Sequence, residues 1–214
     1  MKKEIKKVEY EKKYLQDAGT MMMNTWNYHG QLKGCKDPIY MYKQIFKRAY
    51  VDRSYGEFYV DEKNQLVGIF LAIPTKISFS FHQIPFYLET IWYWLLGRFG
   101  KRKIALSTIY HMERDTEEVM EQYEEYDEEI SLFFVDESCR GQGLGKKMMD
   151  DYMTYCREHK RKKIVVLTDA GCNYSFYEQY GFQRKKEIHS EYFLRPELNK
   201  NTFCYVYHIN IDTH

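Results

Sequence analysis

Arg140-Gly141-Gln142-Gly143-Leu144-Gly145 is the segment whose residue types and spacing point most directly to chemistry. Glycines at 141, 143 and 145 can take backbone angles closed to other residues, and they carry no Cβ to hold a ligand away. Placed between a strand and a helix, they turn several N–H groups toward one point beside the positive end of the helix dipole. That geometry suits a pyrophosphate. Arg140, Lys146 and Lys147 add positive charge nearby. An ordinary tight turn is the plainer reading of the same glycines. Two commoner phosphate motifs fail by counting. A Walker P-loop or a GxGxxG fingerprint starting at Gly141 needs glycine at 146, where the chain has Lys146.

The elements that must position this turn can be read on either side of it. The acidic run Gln122 to Glu129 gives way to Ile130-Ser131-Leu132-Phe133-Phe134-Val135, the clearest strand in the chain. A helix is expected after the glycines, to about His159, with Leu144, Met148, Tyr152 and Cys156 four apart on one face. The basic turn Lys160 to Lys163 leads into the apolar strand Ile164 to Leu167. Strand, helix and strand in about 35 residues make a βαβ unit with a right-handed crossover. A short helix around Tyr174 to Tyr180 ends at Gly181, and Phe203 to Ile209 reads as a closing strand.

Upstream, helices are expected over Leu15 to Tyr28 and Pro38 to Val51. The second has Asp37-Pro38 as its start signal and Ile39, Tyr42, Ile45, Phe46 and Ala49 as an apolar stripe. The period changes at Tyr55: Phe58 and Val60, the polar turn Asp61 to Gln65, then Leu66 to Ile73, read as a hairpin. An aromatic segment from Ile84 to Phe99 suits a helix, and Ile104 to Met120 suits one less well. The first ten residues suit a short strand or a frayed end.

Bulk composition narrows the functional classes. With 214 residues and a net charge of +1, the chain is neither a disordered tail nor a strongly basic nucleic-acid binder. Five scattered cysteines, with no CxxC pair, argue against a disulfide framework. No His/Cys spacing matches a metal site. Ile84 to Phe99 is shorter than the roughly 20 residues a spanning helix needs, and Pro85 and Glu89 interrupt it. These features give the expectation of a cytoplasmic protein with no metal, no nucleic-acid partner and no membrane. The 21 tyrosines can fill core or wall a half-buried pocket with hydroxyls to spare, and core packing is the plainer use.

Arg140 to Gly145 also satisfies Q/R-x-x-G-x-G/A, and Phe176-Tyr177-Glu178-Gln179-Tyr180-Gly181-Phe182 has an aromatic, a tyrosine, three residues and Gly-Phe. On these two signatures and the strand before the first, the chain resembles the GNAT superfamily of acyl-CoA-dependent N-acyltransferases over about Ile130 to Phe182. The resemblance implies a mixed α/β (α+β) GNAT fold, a twisted sheet with helices on both faces. It also implies one domain over 1–214, with a helical and aromatic insertion at about 75–122 on the acceptor side. The cosubstrate would be acetyl-CoA, with its pantetheine arm along Phe133, Phe134 and Val135. Its pyrophosphate would rest on the N–H groups of Gly141, Gln142, Gly143, Leu144, Gly145 and Lys146, with Arg140 adding charge.

The same resemblance implies direct acetyl transfer to a primary amine. A free amine has a pKa of about 10 and must lose a proton before attack, and the departing thiolate must gain one. Tyr177 occupies the family's position for the proton donor; Tyr174 and Tyr180 read as structural. Family members often use a carboxylate at the entrance of the strand before the cradle, and here Glu129 is preferred over Glu128. Simple alternation would put Glu128, Ile130 and Leu132 on one face and Glu129 and Ser131 on the other. Asn173 lies four residues before Tyr177, closer than the usual family spacing. It either bonds the cofactor or caps the short helix. The aromatic segment, with Trp92 and Trp94, would wall the acceptor pocket. A longer acyl donor, a protein N-terminus as acceptor, a homodimer, or a CoA-binding sensor that turns nothing over all remain open.

Overall fold

A computed structural model describes residues 4–26, 38–76, 81–101, 126–169, 172–189 and 203–210. Among these residues are seven strands, β1 (Lys6–Val8), β2 (Tyr55–Val60), β3 (Leu66–Pro74), β4 (Glu128–Val135), β5 (Lys163–Asp169), β6 (Gln183–His189) and β7 (Phe203–Asn210). They form one sheet in the order β1-β2-β3-β4-β5-β7-β6. Neighbours pair antiparallel except β4 and β5, which run parallel. The fold is therefore the mixed α/β arrangement expected of a GNAT protein.

The helices are α1 (Leu15–Trp26), α2 (Pro38–Asp52), α3 (Ile84–Leu95), α4 (Leu144–Glu158) and α5 (Ser175–Tyr180). Pro38 opens α2, as its fixed φ favours; Asp37, Tyr28 and the weaker helix over 104–120 lie outside the described residues. The β2–β3 hairpin turns where the Asp61 carboxylate accepts from the N–H groups of Lys63 and Gln65, both at 2.9 Å. Asn64 there takes φ +60, which asparagine tolerates better than most residues. Strand β4 begins at Glu128, two residues before the apolar run begins.

Each face of the sheet carries its own core. On one, Leu144, Met148, Met149, Tyr152, Met153 and Cys156 of α4 are buried against Phe70 and Ala72 of β3 and Ile130 of β4. This is the four-residue stripe read from the sequence. Gly68 lets α4 come close, since a Cβ there would meet Leu144 Cδ2 at 3.3 Å and Tyr59 Cβ at 3.2 Å. On the other face, α1 and α2 pack Met22, Tyr42 and Phe46, with Tyr14 just before α1, onto Ile69, Leu71, Leu132 and Phe134.

Those two lists place Ile130 and Leu132 on opposite faces, which corrects the simple alternation expected for β4. Leu71 pairs with Leu132 while its neighbour Ala72 pairs with Ile130, so Ser131 is an extra residue, a β-bulge. A bulge switches the faces of the residues beyond it. Glu128 and Ile130 therefore look toward α4, together with Phe133, while Glu129 shares the α1–α2 face with Leu132 and Phe134.

Candidate functional site

The bulge coincides with a parting of strands. The β4–β5 register runs only from Glu128 opposite Ile164 to Ile130 opposite Val166. Beyond Ile130 the β5 side of β4 has no pairing, and a cavity of about 780 Å³ opens between the strands. Ser131, Phe133, Phe134 and Val135 line it from β4, with Val166, Leu167 and Thr168 from β5. Unpaired strand edges expose N–H and C=O groups that an extended ligand can take up.

The glycine-rich turn closes one end of that cavity. Arg140, Gly141, Gly143, Leu144, Gly145 and Lys146 all line it. Gly141 and Gly143 sit at φ +73 and +86, and a Cβ at either would have no heavy atom within 4 Å. Both conformations favour glycine, and both face open space. Gly143 is the N-cap of α4, and the N–H of Lys147 is accepted by Gly143 O at 3.0 Å. The N–H groups of residues 144 to 146 precede that bond and have no acceptor one helical turn back. An elongated pyrophosphate-bearing group such as coenzyme A fits these features: glycine at the positive-φ positions, orphan N–H groups and the helix dipole.

The charged residues of the turn are already engaged. Arg140 Nε donates to Val135 O at 3.1 Å, and its guanidinium lies 3.5 Å from Glu137. Lys146 pairs with Asp150 at 2.6 Å. Lys147 does not line the cavity; it pairs with Asp151 and donates to Tyr59 OH at 3.2 Å, on the far side of α4. Gln142 also lies outside the lining, its side-chain amide donating to Ser138 O at 3.2 Å. The backbone therefore provides most of the anion-binding capacity.

The two carboxylates proposed from sequence are separated by the strand. Glu128 is fully buried on the α4 face, accepting from Ser54 Oγ at 2.8 Å and Tyr152 OH at 3.2 Å. Arg161 Nε lies 2.9 Å from its other oxygen. Glu128 does not line the cavity, and its bonds are those of a structural ion pair. Glu129 does line it. Burial pushes the Glu129 carboxyl up to about 7, partly opposed by the charge of Arg48 on α2.

Tyr177 lines the same cavity from α5. It is buried against Phe133, Phe176 and Phe182, with ring centroids 6.3, 5.8 and 5.6 Å away. Burial, with Cys172 adding a smaller push, raises its phenol far above the ordinary tyrosine value. Asn173 also lines the cavity; its side-chain oxygen accepts from Ser175 Oγ at 2.8 Å, and the N-cap of α5 is Tyr174. The sequence reading missed Asn24, Thr25 and Trp26, where α1 ends beside the cavity. Trp26 packs edge-on to Phe134 at 5.1 Å. Its position follows from how α1 crosses the sheet, which no local pattern encodes. No residue of α3 lines the cavity, and Trp92 is exposed.

Comparison with known proteins agrees with this fold. Residues 111–194 match the family model described as "Acetyltransferase (GNAT) domain". A search of curated protein sequences gives no significant match. Among solved structures, Drosophila melanogaster polyamine N-acetyltransferase is similar at a TM-score of 0.60 and 14% identity, with 97% of this chain and 100% of that one covered. Arylalkylamine N-acetyltransferase 2 from Aedes aegypti gives 0.57 and 15%, covering 97% and 99%. An agmatine N-acetyltransferase in its apo form gives 0.62 and 13%, covering 96% and 99%. At such identities the likeness is one of fold. The match over residues 111–194 and the shared fold both point to the GNAT acetyltransferases as what this chain is similar to.

Proposed function

We propose that the protein is an N-acetyltransferase that moves the acetyl group of acetyl-CoA directly to a primary amine. The observation that carries the reading is that a carboxyl poised near neutrality, Glu129, and a buried phenol, Tyr177, share one cavity with the glycine-rich turn. Acetyl-CoA would supply the thioester. Backbone N–H groups of residues 141 to 146 would hold its pyrophosphate, with Arg140 and Lys146 adding charge. The open edge of Phe133, Phe134 and Val135 would pair with the pantetheine arm, and Asn173 stands beside it.

A carboxyl near 7 is ionised in a useful fraction at neutral pH and takes a proton from the incoming ammonium, directly or through water. The freed amine attacks the thioester carbonyl, the C–N bond forms, the nitrogen loses its second proton to solvent and the C–S bond breaks. The leaving thiolate, conjugate base of a thiol near pKa 8.5, takes a proton from Tyr177. Burial keeps that phenol protonated across the working range but makes it a weaker acid, so its proton has to pass as the C–S bond breaks.

The acceptor would enter from the α1–α2 side, where Trp26, Ile45 and Phe134 give an apolar wall beside Glu129. The similar structures are named for polyamines, arylalkylamines and agmatine. Among those classes, the apolar wall favours an amine with a flat apolar body. We take the chain as one catalytic domain over 1–214, with 75–122 as an insertion.

Calorimetry with acetyl-CoA, on the wild type and on Gly143→Asp, tests the cradle. The aspartate would put a strained φ and a negative charge where the pyrophosphate lies, so binding should fall at least about 100-fold. Thiol release with an amine library then tests turnover, and Tyr177→Phe should slow it about 10²- to 10⁴-fold. Acetyl-CoA binding without turnover of any amine would replace the enzyme with a CoA-sensing module. No binding at all would sink both.

A further inference from the structure

Helix α3 is apolar on both sides, unlike an ordinary surface helix, and its Tyr93 and Trp94 pack against the core. Its polar residues face inward. Glu89 pairs with Lys47 of α2 at 2.5 Å, and Thr90 donates to Gln44 at 3.1 Å. Tyr93 meets Tyr40 edge-on at 5.4 Å. A second apolar set faces out: Leu88, Ile91, Trp92 and Leu95 are 62%, 54%, 59% and 45% exposed, and Leu96 just past the helix is 48% exposed. These positions recur three and four apart, so they make one continuous stripe. Phe81, in the turn before the helix, extends the stripe at 84% exposure. A contiguous apolar surface of this kind marks an interaction site rather than a solvated face.

Charge identifies the partner. Between residues 76 and 103 the chain has five basic residues (Lys76, Arg98, Lys101, Arg102 and Lys103) and one acid, Glu89, which is turned inward. Lys76, Arg98 and Lys101 are exposed. A short helix with an outward stripe of Leu, Ile and Trp, bracketed by lysine and arginine, has the makeup of an interfacial helix. Tryptophan and tyrosine prefer the headgroup level, and anionic headgroups attract the basic flanks. A two-fold contact with a second copy would bring these basic ends together, which disfavours it. Among the described residues no helix is long and apolar enough to cross a membrane, so the contact would be peripheral.

We infer that the outward face of α3 docks the protein on an anionic lipid surface, a partner the sequence reading did not expect. Docking is independent of the acetyl transfer proposed above, because α3 does not line the cavity.

Co-sedimentation of the full chain with phosphatidylcholine vesicles, with and without phosphatidylserine, tests it, and tryptophan emission provides a second readout. We expect binding to the serine-containing vesicles, a blue shift in emission, and loss of both at high salt. Leu88→Asp with Trp92→Asp should abolish binding. Both side chains are exposed, so the thermal midpoint should hold. Lys76→Glu with Lys101→Glu leaves the apolar stripe intact and should weaken binding about tenfold or more, which keeps the test open if the first variant misfolds. Equal binding to neutral vesicles, no binding to either composition, or a dimer in solution dissolved by the Asp variant would each overturn the inference.

Discussion

Glu128 and Glu129 are adjacent in sequence, chemically identical, and put to opposite uses by the two faces of β4. Glu128 faces α4, where Ser54 and Tyr152 donate to one oxygen and the charge of Arg161 lies 2.9 Å from the other. Glu129 faces the other way, into a cavity, where burial outweighs the charge of Arg48 and raises its carboxyl to about 7. The first is neutralised by a partner; the second is left able to change its protonation state near physiological pH. A strand with one buried face and one cavity-facing side therefore provides a structural carboxylate and a titrating one within two residues. Just beyond them the Ser131 bulge ends the pairing with β5 and begins the open edge.

The largest expected difference between the two is in catalysis. Glu129→Gln should lower kcat/KM about 10²- to 10⁴-fold and remove an acid limb near pH 7 from its pH profile. Glu128→Gln should leave the position of that limb unchanged, whatever it does to the amount of folded protein. A full-length profile with the limb intact in Glu129→Gln would remove Glu129 from the mechanism. In stability the ranking reverses. Glu128→Ala strips Arg161 and Tyr152 of their shared partner, and breaking a buried pair this way costs about 3–5 kcal/mol. Arg161 is about one third exposed, so solvent recovers some of that loss, and roughly 2–3 kcal/mol is expected from urea unfolding. Adding Arg161→Met to Glu128→Ala should restore part of the stability. If it restores none, the two groups are not coupled.

The sequence and the structure agree best where a pattern is local. The glycines of the turn, the α4 stripe and the hairpin at Asp61 are each set by neighbours within a few residues, and each lies where its pattern places it. The bulge at Ser131 was not legible. Its register depends on β3, about 60 residues away, and nothing in Ile130-Ser131-Leu132 marks an extra residue. Trp26 escaped notice for a similar reason, since the crossing of α1 over the sheet brings it to the cavity. The outward stripe of α3 was likewise not legible from apolarity alone. The helix reads as a pocket wall, and the inward positions of Glu89 and Thr90 leave an apolar stripe facing out.

The smallest expected effect bears most directly on Glu129, because it needs no substrate. Its carboxyl is raised from an ordinary 4.5 to about 7 in the folded chain. Between those values the folded protein keeps a proton that the unfolded chain has released. The favourable contribution is fully present below pH about 4.5 and is lost as pH rises through about 7. Glutamine mimics the protonated form and has no charge to bury. Glu129→Gln should therefore match the wild type in acid and exceed it by about 1–3 kcal/mol at pH 8, a gap measured by paired denaturant curves. A gap that stayed constant from pH 5 to pH 8 would mean that Glu129 titrates normally, and that an ordinary wet carboxylate lies at the mouth of the cavity. The contrast with Glu128 would then rest on hydrogen bonding alone, and a general base would have to be sought elsewhere on the α1–α2 side.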